Sequence, residues 1–364
     1  MFRNIRLRKL TLTANTLLHF NIPRFRNVCA LLFFTIVTGA LATGCATTSK
    51  APQAIWEEDA KPVEILTTGA GEGPAWHPEF GLLFSGDGNI QRWQTNAGLS
   101  VFRKGAGTNG LLFDHQGRLL ACEPKQRQVT RLEQDGSLTV LTSHFQGGLY
   151  NAPNDITVDE EGRIYFSDPK YGDRSGMEIL DKNGSPIEGV YLIRQNGRVE
   201  RVIMHEVDRP NGVLVSLDQK HLYVADNNNN TVGGAHKLWR FRRKSDGSLN
   251  LQSKKLIFDW KTSRGPDGMV QDSLGRIYVA GGLNKDNLPH ETKLPYPGGI
   301  FVFSSNGKLL DHLPIPNDEV TNCAFGGPDL KTLYITAGGH LWNMRASSSG
   351  ALPWPSLQMT QSHK

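Results

Sequence analysis

The chain has 364 residues, among them 39 glycines, 21% charged residues and a formal charge of +5. That length suits one large domain with a substantial core, and the many glycines suit numerous turns between half-buried strands. The charge misleads: residues 1–44 carry Arg3, Arg6, Arg8, Lys9, Arg24 and Arg26 without an acid, and the remainder sums to −1, which excludes the basic footprint of a nucleic-acid binder.

The leader comes first. A basic segment precedes the apolar run CALLFFTIVTGALA at 29–42, followed by Thr43, Gly44 and Cys45. This reads as a secretory signal over residues 1–44, and the run is shorter than the roughly twenty residues of a membrane span. Ala-Thr-Gly-Cys resembles a bacterial lipobox, although Ala42 stands where Leu is usual. The expectation is a lipidated Cys45 that attaches the protein to the cell-envelope membrane, facing the periplasm. Residues 45–61 are expected to form a flexible tether.

From residue 62 the chain repeats. Six segments share one pattern: EGPAWHPEFGLLFSG, NGLLFDHQGRLLACE, NDITVDEEGRIYFSD, NGVLVSLDQKHLYVAD, DGMVQDSLGRIYVAG and NCAFGGPDLKTLYITA. Each opens on an acid or amide (Glu72, Asn109, Asn154, Asn211, Asp267, Asn322), runs through a short apolar stretch and a polar turn, and ends on a second apolar stretch. A second hairpin follows in most units, with Asp-Gly or Asn-Gly at its tight turn, as in QVTRLEQDGSLTVL and GVYLIRQNGRVERVI. Four short strands in each of six units predict an all-β, six-bladed propeller over residues 62–346. The last unit lacks one strand, and VEIL at 63–66 is expected to complete it, closing the ring without an open edge. Residues 347–364 read as a polar tail.

Cys122 and Cys323 are the only cysteines after Cys45, sit within apolar runs and have no metal-ligand spacing, so buried free thiols are expected.

The first positions carry the chemistry. The innermost strand of each blade runs beside the central axis, so residues that open it converge at one mouth of the channel. One Glu, one Asp and four Asn are hard oxygen donors. They suit Ca²⁺ better than Mg²⁺, because Ca²⁺ accepts neutral oxygens and irregular geometry, and the absence of a His or Cys cluster argues against zinc. Any one Asn or Asp before a strand is an ordinary turn residue. Glu72 is the telling member, since Glu has no local reason to open a strand.

The motifs EGPAW (72–76), NAPND (151–155), YFSDPKYG (165–172), RPNG (209–212) and GPDGM (265–269) resemble the SMP-30/gluconolactonase/LRE-like family, and ACEPKQRQVTRLEQDG resembles its gluconolactonase branch. The resemblance covers roughly residues 63–345. It implies a calcium-dependent propeller lactonase, with the metal held by Glu72, Asn154, Asn211 and Asp267 and with Asp267 as base or nucleophile. It leaves Asn109 and Asn322 in the channel wall, where they are expected to bind substrate.

Three long loops, at 169–188, 227–236 and 284–298, are expected to roof the mouth, with Tyr171 and His236 as further substrate-binding candidates. Asp168 and Pro169 read as a structural corner. Polar loops suit a small hydroxylated substrate such as a sugar lactone, and no protein partner is evident. A serine-hydrolase reading fails for want of a G-x-S-x-G elbow. Two alternatives stay open: a non-catalytic sugar- or peptide-binding propeller with a structural metal, and an esterase or phosphotriesterase on the same scaffold.

Overall fold

The computed structural model describes residues 53–355. The expectations for the leader and for Cys45 fall outside them. The described residues form six four-stranded antiparallel sheets and one two-stranded hairpin, His144–Phe145 with Gly148–Leu149, with no helix. Taken from the axis outward, blade one is Glu72–His77, Gly81–Gly86, Asn89–Gln94 and Gly98–Arg103. Blade two runs from Leu111–Phe113 to Leu138–Thr142, blade three from Ile156–Val158 to Val199–Ile203, blade four from Pro210–Val215 to Leu249–Asp259, and blade five from Pro266–Gln271 to Leu309–Pro314. Blade six joins Val320–Gly326, Thr332–Ala337 and Gly339–Arg345 to Val63–Ala70, the expected closing strand. Val63 pairs with Asn343 and Leu66 with Leu341, so the two ends of the ring share one sheet.

The core lies between blades, in wedges of apolar side chains. One wedge sets Tyr278, Ile300 and Val302 of blade five against Cys323, Phe325 and Ile335 of blade six. Another sets Leu120, Cys122 and Val129 of blade two against Ile156, Phe166 and Tyr191 of blade three. Both cysteines are buried free thiols in these wedges. Strand residues alternate between the faces of a sheet, so each inner blade strand feeds the wedges on both of its sides.

The inner hairpin of blades two, three and five closes on one device, in the sequences DHQGR, DEEGR and DSLGR. In blade five, Asp272 Oδ1 accepts from the backbone N–H of Leu274 and Arg276 (3.0 and 2.9 Å), while Oδ2 accepts from Arg276 Nε at 2.6 Å. Asp159 and Arg163 repeat it. One carboxylate thus fixes the turn and the start of the next strand.

Two expectations on the flanks are corrected. Residues 53–61 are not a tether throughout: Trp56 stacks edge-on against Tyr278 and donates to Asp311, and Glu57 pairs with Arg345. Residues 347–355 are not a free tail: Ser347 N–H donates to Ile55, Ala351 N–H donates to Gln271, and Trp354 stacks near His77. Aromatic and backbone contacts hold both segments down where polar composition suggested solvent.

Candidate metal centre and its pocket

The inner strands carry irregularities where they begin. Regular pairing is interrupted between Glu72 and Ala75, between Pro210 and Val213, between Pro266 and Met269, and between Val320 and Asn322. A bulge of this kind turns a side chain that would otherwise face a neighbouring blade. The glycine after the first position lets the next blade approach. A Cβ on Gly212 would stand 2.2 Å from the Asp267 carbonyl oxygen, and one on Gly268 would stand 1.9 Å from the Asn322 side chain. The Asn-Gly and Asp-Gly pairs are therefore close-packing sites as well as strand starts.

Glu72, Asn109, Asn154, Asn211 and Asp267 line one pocket of about 490 Å³, together with Tyr171, Asn229, Asn230, Arg264, Asn287, His290, Glu319 and Thr321. Five of the six first positions therefore meet at one mouth. Asn322 does not line it. Its Nδ2 lies 3.3 Å from Glu72 Oε2 and its Oδ1 accepts from the Cys323 N–H at 2.8 Å, so it braces Glu72 instead of facing substrate. Its place is taken by Thr321, whose hydroxyl donates to the Gly71 carbonyl at 2.8 Å. The irregular pairing after Val320 accounts for the one-residue change.

His236 is also corrected. It is buried in the third strand of blade four, and its ring nitrogens stand 3.1 Å from the Lys261 carbonyl oxygen and 3.2 Å from that of Asn228. The ring is held between two loop carbonyls, and the side chain does not line the pocket. Asp168 is the expected corner: its carboxylate accepts from the backbone N–H of Asn151 and Ala152.

Tyr171 lines the pocket and does more than face it. Asn211 Nδ2 donates to its hydroxyl at 2.9 Å, and that hydroxyl donates to the Asn227 carbonyl at 3.1 Å. With Nδ2 committed, Asn211 Oδ1 is left as the free end of the amide. Burial, and then the Asp267 carboxylate, push the Tyr171 phenol well above its usual value, which keeps it a donor. The loop that carries Tyr171 is pinned by Glu188, which accepts from Lys170 N–H, Arg174 and the buried Arg209.

The electrostatics are those of an unbalanced anionic centre. Burial, and after it the Asp155 carboxylate, push Glu72 up to about 7. Asp267 is raised well above the ordinary carboxylate range by burial and then by Glu72, with Arg264 acting in the opposite sense. The chemistry of the donors fits a hard divalent cation: two carboxylates that oppose each other's ionisation, with amide oxygens beside them. Among the described residues no three His, Cys, Asp or Glu side chains are grouped to hold a metal. A cation here would depend on Asn154 and Asn211 as much as on the carboxylates.

These features accompany a sequence match. The SMP-30/gluconolactonase/LRE-like region matches residues 70–339. The chain belongs to the SMP-30/gluconolactonase/LRE-like family. A gluconolactonase from Zymomonas mobilis is 26% identical over 319 residues, covering 79% of this chain and 82% of that protein. A pentonolactonase from Haloferax volcanii is 26% identical over 282 residues, covering 74% and 81%. A solved gluconolactonase structure from Xanthomonas campestris superposes with a TM-score of 0.64 at 27% identity, covering 82% of this chain and 96% of that one.

Within this family member, sequence reasoning missed Arg264 and Glu319. Arg264 Nη1 stands 2.5 Å from Glu319 Oε1 and 3.6 Å from Glu291 Oε2. A signal was present: Arg264 lies two residues before the inner strand of blade five and Glu319 one residue before that of blade six. The loops that lead into these inner strands place both at the mouth.

A second cavity, of about 200 Å³, follows the channel beyond the mouth. Asp155 and Asn322 line it along with apolar side chains, and Ala351, Leu352, Pro353 and Trp354 contribute to its wall. Burial pushes Asp155 up to about 7, against the Val213 N–H that its carboxylate accepts.

Proposed function

We propose that this chain is a divalent-cation-dependent lactonase acting on a sugar lactone such as glucono-1,5-lactone, with Ca²⁺ as the cation. The observation that carries the reading is the meeting of Glu72, Asn154, Asn211 and Asp267, from four blades, in one polar pocket. The names of the two lactonase relatives and of the Xanthomonas enzyme support the substrate class.

Glu72, Asn154, Asn211 and Asp267 would hold the cation. When bound, the cation would polarise the lactone carbonyl and stabilise negative charge on its oxygen. Asp267 supplies the carboxylate beside the reacting carbon, either taking a proton from an attacking water or attacking directly. Tyr171 and Asn322 are positioning residues: one fixes the Asn211 amide, the other the Glu72 carboxylate. Asn109, Asn229 and Asn230 offer amides to a hydroxylated ring.

The test is turnover of glucono-1,5-lactone followed by acid release, before and after chelation. Turnover that is abolished by chelation and restored by Ca²⁺ supports the reading. A calcium-loaded protein with no turnover of aldonolactones, aryl esters or phosphotriesters would move it to the binding-module class.

We also propose that the chain is cleaved after Gly44 and lipidated on Cys45, holding it to the envelope membrane, with the 29–42 run and the small residues after it as support. Mass spectrometry of the membrane fraction tests this, and an unmodified periplasmic chain would sink it.

A further inference from the structure

We propose that Arg264 is the specificity-determining residue of the mouth, donating to hydroxyl groups of a neutral polyhydroxylated lactone, while Glu319 keeps its charge from capturing an anionic one. The inference rests on the lactonase reading and deepens it.

Arg264 lines the pocket, yet its side chain is only 6% exposed. Its Nε and Nη1 are buried without a well-aligned hydrogen-bond acceptor, although Nη1 lies close to Glu319 and Glu291. A guanidinium that lines a cavity and is short of acceptors invites oxygens from a ligand. His290 lies on the same pocket wall with its Nδ1 buried and unpartnered. Two side chains that carry unpartnered polar atoms thus line the pocket from outside the proposed metal ligands.

Charge decides which oxygens they receive. The side chains lining the mouth carry three carboxylates, Glu72, Asp267 and Glu319, and one guanidinium, Arg264. A divalent cation brings that set to neutrality. Behind the wall, Glu291 is fully buried, holds Asn287 Nδ2 at 2.9 Å and adds a second carboxylate against Arg264. An anionic substrate would meet a guanidinium already compensated on both sides. A hydroxyl meets a guanidinium short of well-aligned acceptors and no net charge. Glu319 is the adjustable member, since its side chain is 47% exposed.

The experiment measures kcat and KM of the calcium-loaded protein and of Arg264→Gln and Glu319→Gln. The substrates are glucono-1,4-lactone, its carboxylate analogue glucaro-1,4-lactone, and δ-valerolactone, which lacks hydroxyls. Arg264→Gln is expected to lower kcat/KM for glucono-1,4-lactone by about tenfold or more, through KM, as for loss of a charge-assisted hydrogen bond. The value for δ-valerolactone should fall less, because it has no hydroxyl contact to lose. Because Arg264→Gln leaves Glu291 buried and could unfold the wall, Glu319→Gln provides the independent arm. It should shift the glucaro-to-gluco preference toward the anion by about tenfold. An unchanged preference in Glu319→Gln, or an equal loss on all three lactones in a folded Arg264→Gln, overturns the proposal. Calorimetric binding of 1,5-anhydroglucitol, a neutral ring polyol that cannot be hydrolysed, separates the two readings. Binding by the parent that is lost in Arg264→Gln upholds recognition even if no lactone turns over. Equal binding by both contradicts it.

Discussion

Removing the cation should make stability fall more steeply as pH rises. In the cation-free protein Glu72 is raised from an ordinary 4.5 to about 7, and Asp155 and Asp168 also reach about 7. A carboxyl group raised on folding binds a proton that the unfolded chain has already released. Its contribution is therefore most favourable at pH 4 and is lost as pH rises through 7. For Glu72 alone the shift corresponds to roughly 3 kcal/mol, which in a domain of this size amounts to about 5 °C or more in melting temperature. A cation binds the deprotonated carboxylates, so protons compete with it, and its affinity should fall about tenfold per pH unit below 7 for each proton displaced. With saturating Ca²⁺ that gain in affinity offsets the loss at Glu72 over the same window, so the fall of stability with pH should be shallower than in chelator, leaving the share of Asp155 and Asp168. Calorimetric melting at pH 5, 6, 7 and 8, in chelator and in Ca²⁺, reads both slopes. Glu72→Gln should flatten the chelator slope partly, leaving the share of Asp155 and Asp168. A chelated protein that grows more stable from pH 5 to 8, or a Glu72→Gln slope identical to the parent's, would refute this reasoning.

Three further outcomes follow from particular contacts. Gly212→Ala places a Cβ 2.2 Å from the Asp267 carbonyl oxygen, and should cost about 1–3 kcal/mol in urea denaturation; a neutral result would mean that the blades do not approach there. Tyr171→Phe removes the acceptor of Asn211 Nδ2 and should weaken Ca²⁺ binding by about tenfold, read by calorimetry, with unchanged affinity counting against the orienting role. Asp267→Asn, compared at saturating Ca²⁺, should lower lactone hydrolysis by about a hundredfold or more; parental turnover in the fully loaded variant would leave Asp267 as a ligand only.

The fold was legible because repetition multiplies weak signals. Six starts of the type Glu, Asn or Asp, each followed by paired apolar runs, outweigh any single turn assignment, and the closing strand VEIL follows from the missing member of the last sheet. The mouth was legible for the same reason in five of its six first positions. Asn322 departed from the rule because the pairing irregularity after Val320 shifts its side chain inward by one residue. That displacement leaves no trace in composition. His236 lies in a loop-adjacent strand that reaches the site in sequence but is consumed by two carbonyls in space. Arg264 and Glu319 were hidden for a different reason: each is an ordinary charged loop residue alone, and only their place just before an inner strand and their mutual ion pair make them members of the mouth. The packed ends at Trp56 and Trp354 show the limit of reading polarity as freedom, since single aromatics anchor segments whose average composition is polar.

The most direct measurement is a crystal soaked in Ca²⁺ and examined for anomalous scattering at the channel mouth. The account expects one peak with oxygen distances of about 2.3–2.6 Å from Glu72, Asn154, Asn211 and Asp267. A mouth without a peak, or a cation held by residues elsewhere, would contradict it.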